Sequence, residues 1–170
     1  EHKAVSARSS LGRVGSRAAA PWMPPQMYKH ILIATDGSEL AEKAVAAGLE
    51  LAKGLGARAT AVTVSEPWAI ARTCHGSVGV PFDAYENAAA GEAAKALASA
   101  RRLARELGVE CATVHIKEHT TEGILQAAGN RGCDLIVMAS HGRKGISRLM
   151  HGSQTIDVLT HSDVPTLVVR

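Results

Sequence analysis

The chain has 170 residues, enough for one domain and a tail. Its formal charge is +3, but Lys3, Arg8, Arg13 and Arg17 against Glu1 place that whole excess in the first 26 residues. The rest is electrically balanced and the chain is only 3% aromatic, which argues against nucleic-acid binding, a function of basic surface and stacking rings. No apolar run is long enough for a membrane span.

Residues 1–26 are rich in Ser, Arg, Ala and Pro and have no periodic apolar face. They read as a flexible extension or an expression-derived segment ahead of a domain spanning 27–170, with Met27 as its start. An Arg- and Ser-rich, acid-poor leader also fits a transit peptide. "HILIAT", His30 to Thr35, is a short apolar run with β-branched residues and predicts a buried strand. "DGS" breaks it, and Ser38 is suited to cap a helix in which apolar residues recur at helical spacing from Leu40 to Leu55. "GLGA" ends that helix, and Arg58 to Pro67 predicts a second strand stopped by the proline. Residues 68–82 show no period and read as a loop with one helical turn. An Ala-rich helix is expected from Asp83 to about Leu107, ended by Gly108.

"VECATVHIK" predicts the third strand, and "TTEGILQAAGNRG" a short helix capped by Thr120 or Thr121. "CDLIVMAS" is continuously apolar, as a central parallel strand is. A helix capped near Gly152 or Ser153 follows, and "VPTLVVR" closes the chain as the fifth strand. Alternating strands and helices give an α/β fold, a doubly wound five-stranded parallel sheet with helices on both faces. Such sheets bind ligands beyond the strand C-termini, where the strand order reverses. The informative addresses are therefore "TDGS" after the first strand and "ASHGRKG" after the fourth.

"ILIATDGSELAEKAV", "DLIVMASHGRKGISRLMHGSQT" and the closing "VPTLVVR" together resemble the universal stress protein family, over the whole of 27–170. The resemblance implies the strand order 3-2-1-4-5. Its ATP-binding members carry G-x2-G-x9-G-[ST], a frame that falls here on Ala139, Gly142, Gly152 and Ser153. Three of the four positions match; the first is alanine. If the backbone is extended there, alanine fits at little cost; if a positive φ is required, ATP is disfavoured.

The frame also has a physical reading. Gly142 lets the backbone come close to a ligand. Gly152 and Ser153 open a helix whose first amides have no internal partner and favour an anion. Gln154 lies beside them. The competing reading is a plain strand-to-helix connection. Ser140, Arg143, Lys144 and Arg148 complete the loop, the three cations either neutralising phosphates or forming a solvated face. Asp36 would by resemblance contact the nucleotide or an associated Mg²⁺, with Thr35 beside it; the alternative is a local Asp-Gly turn. By the same resemblance, Val64 would offer backbone groups to an adenine edge and Met138 would lie against the adenosine.

The three cysteines, Cys74, Cys111 and Cys133, contain no C-x-x-C pair and suggest a reducing compartment. Cys74 and His75 are adjacent and point apart in extended chain. His115 and His119 straddle a strand end and lack the spacing of a helical metal pair, and His141 and His151 read as capping or surface residues. A phosphoryl-receiver domain shares this sheet but needs an acidic cluster and a late lysine that are not seen.

The expected function is that of a cytoplasmic ATP-binding stress-response sensor or regulatory module with Mg²⁺. At most slow hydrolysis or autophosphorylation is expected, with Ser140 and Ser153 near the γ-phosphate. The alternative is a nucleotide-free dimeric interaction module of the same family. In either case the apolar last strand, left at the sheet edge, predicts a homodimer through Val164 to Arg170.

Overall fold

The protein is described by a computed structural model covering residues 27–74, 79–142 and 153–170. The elements are β1 (His30–Ala34), α1 (Glu39–Leu55), β2 (Arg58–Ser65), α2 (Trp68–Cys74), α3 (Phe82–Leu107), β3 (Cys111–Lys117), α4 (Thr120–Arg131), β4 (Leu135–Ala139), α5 (Ser153–His161) and β5 (Thr166–Val169). All four strand pairings are parallel, and the order is β3-β2-β1-β4-β5, as expected.

β4 and residues 31–34 of β1 are apolar throughout because both faces are covered. Ile31, Ile33, Leu135 and Val137 point to one side, where Val45 and Leu49 of α1 and Leu97 and Ala100 of α3 meet them. Leu32, Val62, Ile136 and Met138 point to the other, against Ile124 of α4 and Val158 of α5. Ile31, Leu32 and Ile33 are fully buried. Each contributes about 1.5–3 kcal/mol relative to an exposed side chain.

Local chemistry sets several boundaries. Ser38 caps α1 as its sequence predicts, its Oγ accepting from the Ala41 amide at 3.3 Å. α1 and α3 end on Gly56 and Gly108, both in the left-handed conformation. β3 begins at Cys111 rather than Val109, because the Val109 amide still donates to Ala104 in the closing turn of α3. α4 starts after His119, which makes no side-chain capping bond; neither Thr120 nor Thr121 is the cap.

The larger departure is α2. Residues 68–82 read as a loop with one helical turn; 68–74 form a helix of two turns, so the described residues hold five helices rather than four. The amides of Ile70 and Ala71 donate to the Pro67 carbonyl, and Arg72 lies over the Trp68 ring. The Trp68 indole donates to the Val80 carbonyl and meets the edge of Phe82. Two turns are too short to show a period, and contacts from the start of α3 hold them.

Candidate functional site

β1 and β4 lie side by side, and the helices that follow them leave on opposite faces of the sheet. Their C-terminal ends therefore open a crevice at the point where the strand order reverses. Three segments meet there.

The first follows β1. Thr35 is buried; its amide donates to the Val62 carbonyl at 2.9 Å, and its own carbonyl accepts the Thr63 hydroxyl at 2.9 Å. Its hydroxyl oxygen accepts the Gly37 amide at 3.2 Å. Asp36 Oδ1 accepts the Ser38 amide at 3.0 Å, so the local turn foreseen for Asp-Gly is present. The other oxygen points across to the end of β4. A Cβ built on Gly142 would lie 2.6 Å from Asp36 Oδ2, so the carboxylate takes the space that a side chain would need. A side chain at 142 would have to displace this carboxylate.

The second is the end of β2. The Arg58 amide and the Val62 carbonyl bond towards β1, whereas the Ala59 amide and the Ser65 carbonyl bond towards β3. Backbone groups alternate sides along a strand, so the N–H and C=O of Val64 face the β1 side. β1 ends at Ala34, which pairs with Val62, so these groups face the ground just beyond it. The Val64 side chain is packed instead: a Cβ on Gly123 would stand 2.7 Å from its Cγ1.

The third is the end of β4. Met138 is buried among the residues under α4 and α5. Ala139 is a strand residue, extended rather than at positive φ, and its methyl is buried with Ala41 and Ala44 of α1. The backbone therefore makes no demand for glycine at this position. Ser140 is buried, its amide donating to the Val169 carbonyl at 2.8 Å, and its Oγ lies 3.2 Å from His141 Nδ1. Thr155 then ties the start of α5 to this strand end, its hydroxyl 3.2 Å from the Ala139 carbonyl and 3.1 Å from that of Ser140. Ser153 and Gln154 are the exposed first residues of α5. Arg143, Lys144, Arg148, His151 and Gly152 lie outside the described residues.

Thr35, Asp36, Val64, Met138, Ala139, Ser140 and Gly142 thus gather at one edge, with Ser153 and Gln154 beginning a helix anchored to it. Sequence reasoning missed Thr155. Its signal was a threonine on the inward side of the last helix pattern, which reads equally well as ordinary core. It also passed over the pair at the neighbouring edge, where Ser65 Oγ lies 2.7 Å from His115 Nε2. Burial, reinforced by Lys117 and opposed by Glu86, holds His115 below the usual histidine range, so this pair is neutral at pH 7. Among the described residues no helix is long and apolar enough to cross a membrane, and no group of three or more His, Cys, Asp or Glu is placed to hold a metal ion.

A family-wide sequence model, that of the universal stress protein family, matches residues 27–170. Universal stress protein YxiE of Bacillus subtilis is 33% identical over 148 residues, covering 85% of this chain and all of that protein. Among solved structures, a universal stress protein in complex with cAMP superposes with a TM-score of 0.66 at 19% identity, covering 85% of this chain and 98% of that one. The universal stress protein from Archaeoglobus fulgidus in complex with dAMP gives a TM-score of 0.61 at 20% identity, covering 85% and 99%.

Proposed function

The chain belongs to the universal stress protein family, and on that premise we propose that it binds ATP with Mg²⁺ in the crevice between the ends of β1 and β4. The observation that carries this reading is the approach of the Asp36 carboxylate to Gly142, which brings the two sequence motifs into one place. In this reading the base lies by the backbone of Val64 and against Met138. The phosphates pass Gly142 to the first turn of α5 at Ser153, with Ser140 and Gln154 around them. Asp36 would hold Mg²⁺ together with phosphate oxygens, the usual oxygen ligands of that ion. Two relatives of the same fold solved with cAMP and dAMP support an adenine nucleotide as the ligand class.

In this reading the protein is a sensor or regulatory module of the stress response, with at most slow hydrolysis or autophosphorylation. It works in the cytoplasm as a homodimer through Val164 to Arg170, a reading supported by the position of β5 at the sheet edge with Leu167 exposed. The departure at Ala139 supports a second reading, a dimeric interaction module without nucleotide.

Titration calorimetry with ATP and Mg²⁺ separates the two, repeated on Gly142→Val and Asp36→Ala. The first reading expects binding by the wild type and a loss of about tenfold or more in each variant. Unchanged affinity in both variants refutes the site. No binding, with no ATP released from the purified and denatured protein, refutes the ligand.

A further inference from the structure

Among the described residues, Thr121 carries the buried side-chain oxygen that has no hydrogen-bond partner. The residue is 6% exposed and lies in the first turn of α4, on the same buried face as Ile124 and Ala128. Ile124 and Ala128 on that face pack in the cluster with Leu32, Val62 and Met138, and the Thr121 oxygen is shielded from solvent. The turn also stands at the ligand-binding edge, because Gly123, two residues on, is so close to Val64 that a Cβ would meet its Cγ1 at 2.7 Å. Thr121 is the second residue of α4, so no helical carbonyl stands four residues back to accept its hydroxyl. Leaving it unpaired costs about 1–3 kcal/mol, and valine has the same shape without that cost. A buried polar group of this kind calls for an explanation, and a partner supplied by a bound ligand is one.

We propose that the Thr121 hydroxyl hydrogen-bonds the polar edge of the bound nucleobase and makes α4 a base-reading element. The inference rests on the nucleotide reading above, in which Val64 marks the base end of the site. Threonine both donates and accepts, so it matches the mixed donor and acceptor edge of a purine. The helix N-terminus adds positive potential on the same side.

The test measures three variants, Thr121→Val, Thr121→Ala and Thr121→Ser, by calorimetry with two Mg²⁺-bound probes: ATP, and ribose 5′-triphosphate, which lacks the base. Thermal melting of each unliganded variant is recorded alongside. Thr121→Val is expected to melt at or above the wild-type temperature, to bind ATP roughly tenfold more weakly, and to bind ribose 5′-triphosphate unchanged. Thr121→Ala repeats the loss for ATP, and Thr121→Ser restores the affinity. Wild-type ATP affinity in both hydroxyl-free variants overturns the proposal and leaves the nucleotide site standing. Equal losses for both probes overturn it as well, since the effect then lies with the phosphates or the fold. If the wild type binds neither probe, the nucleotide reading falls and this inference falls with it.

Discussion

The Asp36 carboxylate sits where a side chain at Gly142 would begin, with Oδ2 2.6 Å from the position of that missing Cβ. Gly142→Ala therefore cannot be accommodated without moving Asp36. The expected result is a loss of ATP–Mg²⁺ affinity of about tenfold, with stability changed by less than about 1 kcal/mol, since the displaced group is at the surface end of the sheet. A double-mutant cycle makes the cause specific. If alanine acts by displacing the carboxylate, Asp36→Ala combined with Gly142→Ala loses no more affinity than Asp36→Ala alone. Additive losses in calorimetry would show that Gly142 acts through its own backbone.

Ala139 bears on the family's frame, in which this position is glycine. Its methyl is buried with Ala41 and Ala44 of α1, and its backbone is strand. Ala139→Gly should cost about 1–2 kcal/mol, from one buried methyl and the added freedom of glycine in the unfolded chain. ATP affinity should stay within about twofold. A tenfold gain in affinity on calorimetry would show instead that the methyl obstructs the ribose.

Thr155 is 2% exposed and serves two carbonyls at the end of β4. Thr155→Val keeps the shape and removes the donor. Urea unfolding should show a loss of about 1–3 kcal/mol. ATP affinity should fall too, because α5 is no longer tied to the strand end. An affinity loss without a stability loss would contradict a purely anchoring role.

His30 supplies the pH dependence. Its Nδ1 lies 3.0 Å from the Arg131 carbonyl and its Nε2 2.9 Å from the Thr60 hydroxyl, so the neutral ring donates to the first and accepts from the second. Burial, aided by the Arg58 and Arg131 charges, lowers its pKa below 6.5, against the Arg131 carbonyl and Asp134, which raise it. Between that lowered pKa and 6.5 the unfolded chain binds more protons than the native one, so stability rises with pH through the window. Acidification through it destabilises the fold, and the loss is complete below the folded pKa. His115 is lowered as well and adds in the same direction. His30→Gln should therefore reduce, without abolishing, the stability difference between about pH 7.5 and about pH 5.5 in urea unfolding. An unchanged difference would remove His30 from this role.

Leu167 is exposed on β5, at the open edge of the sheet. A charge on an edge strand disfavours pairing with a second copy. Leu167→Asp is expected to give a monomer by light scattering at concentrations where the wild type is a dimer. A wild type that is monomeric at high micromolar concentration would end the dimer reading.

The alternation of continuous apolar runs with helical periods determined the α/β class, the glycine-ended helices and the two addresses after the first and fourth strands. These follow from local chemistry: a buried parallel strand must be apolar on both faces, and a helix must carry a stripe and a stop. The sequence alone also supplied Asp36, Gly142 and Ser153 as separate candidates. Only the tertiary structure decided that Asp36 and Gly142 touch, because the two residues come from opposite ends of the domain and meet solely where β1 and β4 pair. It decided that the Val64 backbone faces past the end of β1, which depends on the register between strands. It turned the Ala139 methyl under α1, made a helix of residues 68–74 through contacts from α3, and buried the Thr121 hydroxyl. Each of these is a relation between surfaces that folding brings together, and no local pattern in the chain encodes it.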